Sequence, residues 1–197
     1  MNEEGVIKFS CNWIKGEPID DAELNTLNAW RDRLYALQLL GVTDDGIGYG
    51  NISRRVPRGF IITGSGSGRL SKLSSANYTV VTAYDLASNS VTSVGPVMAS
   101  SESMTHAAIY KTDKNANAVF HMHHRGLWMH LLKWYPSTAK DVAYGTPEMA
   151  AEVTKLIHQL NGKLIFAMGG HEDGIISFGT DEDQAGQVVL DELKKLS

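Results

Sequence analysis

Between residues 21 and 40, leucines recur at three- to four-residue spacing: Leu24, Leu27, Leu34, Leu37 and Leu40. That period places side chains on one face of a helix. Asp20 and Asp21 supply a cap for it and Gly41 a stop. Further along, Ser101 caps a predicted helix through Tyr110, with acidic Glu102 in its first turn. Residues 126–134 form a compact apolar helix. Pro147 opens another, through Leu160, at the favoured first position. Asp181 starts the last helix, whose Val188, Val189, Leu193 and Leu196 are expected to face the core.

Between the helices the pattern changes. Residues 1–19 contain Gly16 and Pro18 and suit an edge segment or short strand. Residues 50–53 and 59–63 are strand-like, and the second run, Phe60-Ile61-Ile62, enters the glycine-rich string Gly64-Ser65-Gly66-Ser67-Gly68. Residues 77–85 have the β-branched content of a strand, with Ser88-Asn89-Ser90 as its turn. Ala118-Val119-Phe120-His121-Met122-His123 is a short buried strand, and residues 163–179 are two short strands joined at 169–174. Helices alternate with strands, so the class is α/β or a layered α+β fold.

Composition narrows the possibilities. The 197 residues fit one domain, 1–197, with 43% hydrophobic and 20% charged residues and a formal net charge of -4. The basic residues are scattered, which argues against a nucleic acid or an anionic membrane as the main partner. Cys11 is the single cysteine, so no disulfide forms within the chain, and an unpaired thiol suits a reducing compartment. The N-terminus lacks the basic-then-apolar pattern of a signal peptide, and no apolar run approaches the roughly 20 residues of a membrane span. The expectation is a soluble, cytoplasmic protein.

Candidate chemistry centres on His121-Met122-His123-His124. On a strand, positions i and i+2 leave the same face, so His121 and His123 point together while Met122 and His124 face the other way. Two converging imidazoles can ligate zinc or a similar metal, although hydrogen-bonded, partly buried histidines would show the same spacing. His171, between glycines and two acids, is the leading third ligand, with Glu172 and Asp173 as possible oxygen ligands. Glu102 is either a helix-capping acid or, beside a metal, a general base. Asn51, Ser53, Thr63 and Ser65, near glycines, offer donors suited to phosphate oxygens. The string at 64–68 lacks the Lys-Ser/Thr end of a nucleotide P-loop and the spacing of a dinucleotide fingerprint.

Taken in order, Gly-Asn-Ile-Ser at 50–53, Ile-Thr-Gly-Ser-Gly at 62–66, Ser-Ser-Glu at 100–102, His106, Val-Phe-His-Met-His at 119–123, Gly-Thr-Pro-Glu at 145–148 and His171 resemble the class II aldolase/adducin family. This group contains aldolases, epimerases and dehydratases of sugar phosphates. The resemblance implies a three-layer α/β/α sandwich with a central, mainly antiparallel sheet, assembled as a homotetramer with active sites between subunits. It implies zinc (or manganese, cobalt or iron) held by His121, His123 and His171, with Glu102 as the catalytic acid/base. Asn51, Ser65, Gly66, Ser100 and Ser101 fall where the family grips the substrate's phosphate. The implied activity is reversible C–C cleavage of a small hydroxy-ketone through a zinc-stabilised enediolate. Epimerisation, dehydration or a non-catalytic, adducin-like scaffold are the alternatives.

Three departures bear on this. The family places its late histidine directly before glycine, whereas Glu172 and Asp173 stand between His171 and Gly174, so His171 reaches the metal only if its turn is two residues longer. The segment 135–145 is shorter than in fuculose-phosphate aldolase, where it carries a catalytic tyrosine from the neighbouring subunit, and neither Tyr135 nor Tyr144 is assigned that role. The chain closes soon after its last predicted helix, so no C-terminal lid is expected.

Overall fold

The computed structural model describes residues 6–196. Eight strands form one sheet: β1 (Ser10–Lys15), β4 (Asn51–Val56), β5 (Gly59–Thr63), β6 (Tyr78–Asp85), β7 (Ser90–Gly95), β8 (Ala118–His123), β9 (Ile165–Ala167) and β10 (Gly174–Gly179), while β2 (Gly41–Val42) and β3 (Gly48–Tyr49) make a separate ribbon. The helices are α1 (Asn25–Ala36), α2 (Ser103–Thr112), α3 (Arg125–Trp134), α4 (Pro147–Ile157) and α5 (Glu182–Lys194). The strand order is β1-β7-β6-β5-β4-β8-β10-β9. Every pair in it is antiparallel except the edge pair β1–β7.

Two cores flank the sheet. On one face Phe60, Ile62, Val119 and Ile176 pack with Met104 and Ala108 of α2 and Met149 and Val153 of α4. On the other, Ile52, Ile61, Phe120 and Met122 pack with Leu27 and Leu34 of α1, Leu127 and Leu131 of α3, and Val189 of α5. The result is the expected α/β/α layering around a mainly antiparallel sheet. Strand period two decides which residues go where: alternate β8 side chains enter opposite cores.

Local side-chain caps set the starts of α4 and α5. Asp181 accepts from the Gln184 amide at 2.7 Å and Thr146 from the Met149 amide at 3.2 Å, with Pro147 in the first turn. Other ends differ from the sequence expectation. The leucine-patterned segment begins as a 3-10 turn, Asp21–Leu24, and its α-helix stops at Ala36, because Gln38 takes a positive φ of 58°. Leu37 is therefore left exposed, while Leu40 is buried from outside the helix. α4 ends at Ile157 rather than Leu160. Leu196 is exposed beyond α5, whose core side is Ala185, Gly186, Val189 and Leu190. Strand β7 carries no separate sequence expectation, and residues 1–5 of the predicted edge segment lie outside the described residues.

Candidate metal centre

β8 sits between β4 and β10, and its register fixes the site. His121 stands opposite Asn51 on one side and Ile176 on the other, and His123 stands opposite Gly174. Because cross-strand partners share a face, Asn51, His121 and His123 all lie on the α2 side of the sheet. His124, on the opposite phase, caps α3 by accepting from the Leu127 amide at 3.0 Å, and Met122 is buried in the other core.

The Nε2 atoms of His121 and His123 are 3.2 Å apart. The His171 ring lies 5.0 Å from that of His121 and 4.7 Å from that of His123. One nitrogen from each of the three falls within 4.8 Å of the others. A tetrahedral zinc with Zn–N of about 2.0–2.1 Å needs N···N separations of about 3.4 Å, so small ring movements would let all three reach a common ion. His121 Nδ1 lies 3.2 Å from the Ile175 carbonyl. With that nitrogen donating, Nε2 is left as the unprotonated ligand atom. His121 is fully buried, and burial first, then the neighbouring His123, His171 and His106, hold its pKa well below the usual histidine value. The ring stays neutral, as a metal ligand must be. The donor set thus fits a divalent cation of the zinc type.

Glu102, at the N-cap position of α2, is fully buried. Its Oε2 accepts from Thr105 Oγ1 at 2.7 Å and its Oε1 lies 3.7 Å from His171 Nδ1. Ser100 and Ser101, just before it, are buried. Gly64 bridges to Ala99 and the Ser65 amide donates to Met98 O at 3.0 Å, which sets exposed Ser65 and Gly66 beside the serine pair. Asn51 is buried across from His121, and its Oδ1 has no hydrogen-bond partner among the described residues. A cleft of about 840 Å³, lined by Tyr35, Gln38, Thr43, Tyr49 and Arg125, reaches His123.

Some expected donors are used elsewhere. Thr63 Oγ1 accepts from the Ile52 amide at 3.2 Å. Ser53 Oγ lies 2.6 Å from His106 Nδ1 and 2.7 Å from the Tyr110 hydroxyl, a buried network that ties β4 to α2. Burial pushes His106 down to about 3 and raises the Tyr110 phenol. Glu172 and Asp173 do not join the histidines: both bind Arg125, Asp173 at 3.4 Å. The two extra residues bulge outward, with the Gly174 amide closing on His171 O at 3.0 Å and Asp173 at φ 63°. The longer turn therefore keeps His171 within the group. Sequence reasoning left Tyr144 without a role, yet its ring stacks on His171 with centroids 4.5 Å apart. Its only advance signal is its place just before Gly145-Thr146-Pro147, a fixed helix start.

Solved structures share this architecture. An L-fuculose-1-phosphate aldolase from Thermus thermophilus superposes with a TM-score of 0.68 at 20% identity, covering 87% of this chain and 89% of that one. YgbL from Klebsiella pneumoniae, for which aldolase, epimerase and decarboxylase are all named, gives 0.67 at 18%, covering 90% and 88%. A sugar-phosphate aldolase from Thermotoga maritima gives 0.64 at 16%, covering 89% and 93%. A sequence search of curated proteins finds no match. The profile of the class II aldolase and adducin N-terminal domain, by contrast, aligns with residues 37–190, a span that takes in Glu102 and all three histidines. With most of its length matched, this chain belongs to the class II aldolase/adducin family.

Proposed function

We propose that the protein is a metal-dependent carbon–carbon lyase that reversibly cleaves a small hydroxy-ketone, with sugar phosphates as the substrate class. The observation that carries this is the convergence of His121, His123 and His171 beside a buried carboxylate. The three histidines would hold a divalent cation, with zinc favoured by the all-nitrogen set and manganese, cobalt or iron as alternatives. When bound, the cation supplies positive charge where negative charge develops on the substrate's oxygens.

The chain's own residues do the rest. Glu102 carries the proton: it is buried beside His171, and the Thr105 hydroxyl holds Oε2 in place. Asn51, Ser65, Gly66, Ser100 and Ser101 orient the phosphate. Their neutral donors, together with backbone amides, suit an anion that must later leave. The cleft beside His123 gives access. We further propose a cytoplasmic homotetramer, the assembly that the class II aldolase resemblance implies.

Glu102→Gln tests this directly. The amide keeps the Thr105 contact but cannot take a proton, so the variant is expected to retain about one metal ion per chain while turnover falls about 10²–10⁴-fold. Full activity would remove Glu102 from the mechanism. Epimerisation, one of the activities named for the structurally similar YgbL, is the second possibility, with dehydration beside it. Product analysis with a panel of pentulose and hexulose phosphates separates these outcomes. Protein that carries no metal after gentle purification would instead support a scaffold.

A further inference from the structure

The three histidines are not held alike. His121 and His123 sit on a strand with hydrogen-bonded neighbours on both sides. His171 sits in the turn between β9 and β10, where its amide donates to Met168 O at 3.2 Å. A turn fixes the backbone but still lets an imidazole rotate about its side-chain bonds. A metal ligand needs more, because a nitrogen lone pair lies in the ring plane and must aim at the ion.

The segment between α3 and α4 supplies the restraint. Ser137 bridges to Ala167, Thr138 N donates to Ala167 O at 3.3 Å, and the Gly169 amide donates to Thr138 Oγ1 at 2.9 Å. The backbones touch: a Cβ on Gly169 would lie 2.2 Å from Thr138 O, and one on Gly170 1.9 Å from Val142 O. Those two glycines are what allow the approach. The far end is pinned to α4, where Thr146 Oγ1 donates to Ala143 O at 2.7 Å and accepts from the Met149 amide. Tyr144, 6% exposed, lies between these anchors, with its ring 25° from the plane of His171 and Lys8 Nζ 4.2 Å from its centroid.

We propose that Tyr144 is a positioning residue that fixes the ring plane of His171, and that the 137–144 segment acts within the same chain as a clamp on the third ligand. A flat ring packed face to face lets the imidazole slide in its plane but resists tilting, which is the motion that would misaim the lone pair. The inference rests on the metal-centre assignment proposed above. It predicts that ring shape, not the phenol, matters.

The test uses the full chain stripped of metal, zinc ion as the probe in competition with a chromogenic chelator, and the visible spectrum of the cobalt-loaded protein. Tyr144→Phe should bind zinc within about twofold of the unaltered chain. Tyr144→Leu, which fills most of the volume without a flat face, should bind about tenfold or more weakly and shift the cobalt bands. Thr138→Val, which releases the Gly169 amide, should move both readouts the same way by less, and it serves where the leucine variant folds poorly. A folded Tyr144→Leu or Thr138→Val protein with unaltered zinc affinity and cobalt spectrum would overturn the positioning role. His121→Ala separates the layers: if it binds zinc as well as the unaltered chain, the metal centre itself fails and this inference with it.

Discussion

One strand, β8, presents two different environments. Ala118, Phe120 and Met122 enter a core shared with α1, α3 and α5 that is wholly apolar along this strand. Val119, His121 and His123 face α2, where Glu102, His106, Ser53 and Asn51 are also buried. Burying polar groups costs free energy unless each is paired, so the α2 face is bearable only because its groups bond one another or await a ligand. The apolar face carries the stability that offsets this. The two faces should therefore respond differently to substitution: the apolar one in stability, the polar one in binding and chemistry.

Phe120→Ala breaks the comparison from the apolar side. Phe120 is fully buried, with its ring 6.4 Å from Trp30. Truncation should cost about 3–5 kcal/mol, read as a lowered midpoint in urea, while the folded fraction still binds zinc. Zinc affinity that falls as far as stability does would mean that the faces are not separable.

On the polar side, Ser53→Ala should have a smaller effect of a different kind. The Ser53 hydroxyl serves both His106 Nδ1 and the Tyr110 hydroxyl, and all three residues are buried. Its removal leaves two buried groups short of a partner, at about 1–3 kcal/mol, with little change in core volume. Denaturant titration would measure it. A loss no larger than that of an exposed serine would show that the network contributes nothing to joining β4 and α2.

How legible this was follows from how local each signal is. The His121/His123 pair needs only strand period two, and the caps at Asp181 and Thr146-Pro147 need only a few neighbouring residues. β7 has no comparable signature, because its inward positions are Val91, Ser93 and Gly95, only one of them large and apolar. The leucine period ran past the true end of α1, since periodicity alone does not register the left-handed turn at Gln38. Ser53 and Thr63 looked like ligand donors because sequence shows a hydroxyl but not the buried partner that claims it. The seat of Tyr144 on His171 depends on two segments meeting through Gly169 and Gly170, a tertiary event for which a pair of glycines was the only trace.

The finest test of the contrast lies where the polar face meets solvent. Glu172 and Asp173 are sequence neighbours of His171 with the right chemistry to ligate a metal, yet both are bound to Arg125. The double variant Glu172→Gln, Asp173→Asn removes both negative charges, and asparagine accepts the positive φ that Asp173 adopts. An exposed ion pair contributes little, so the urea midpoint should not move resolvably. Zinc stoichiometry should stay near one per chain, with affinity within about twofold, because Arg125 already offsets both charges and solvent screens them. A clear loss of zinc would instead make one of these carboxylates a ligand, and the site would then be two imidazoles and an oxygen rather than three imidazoles.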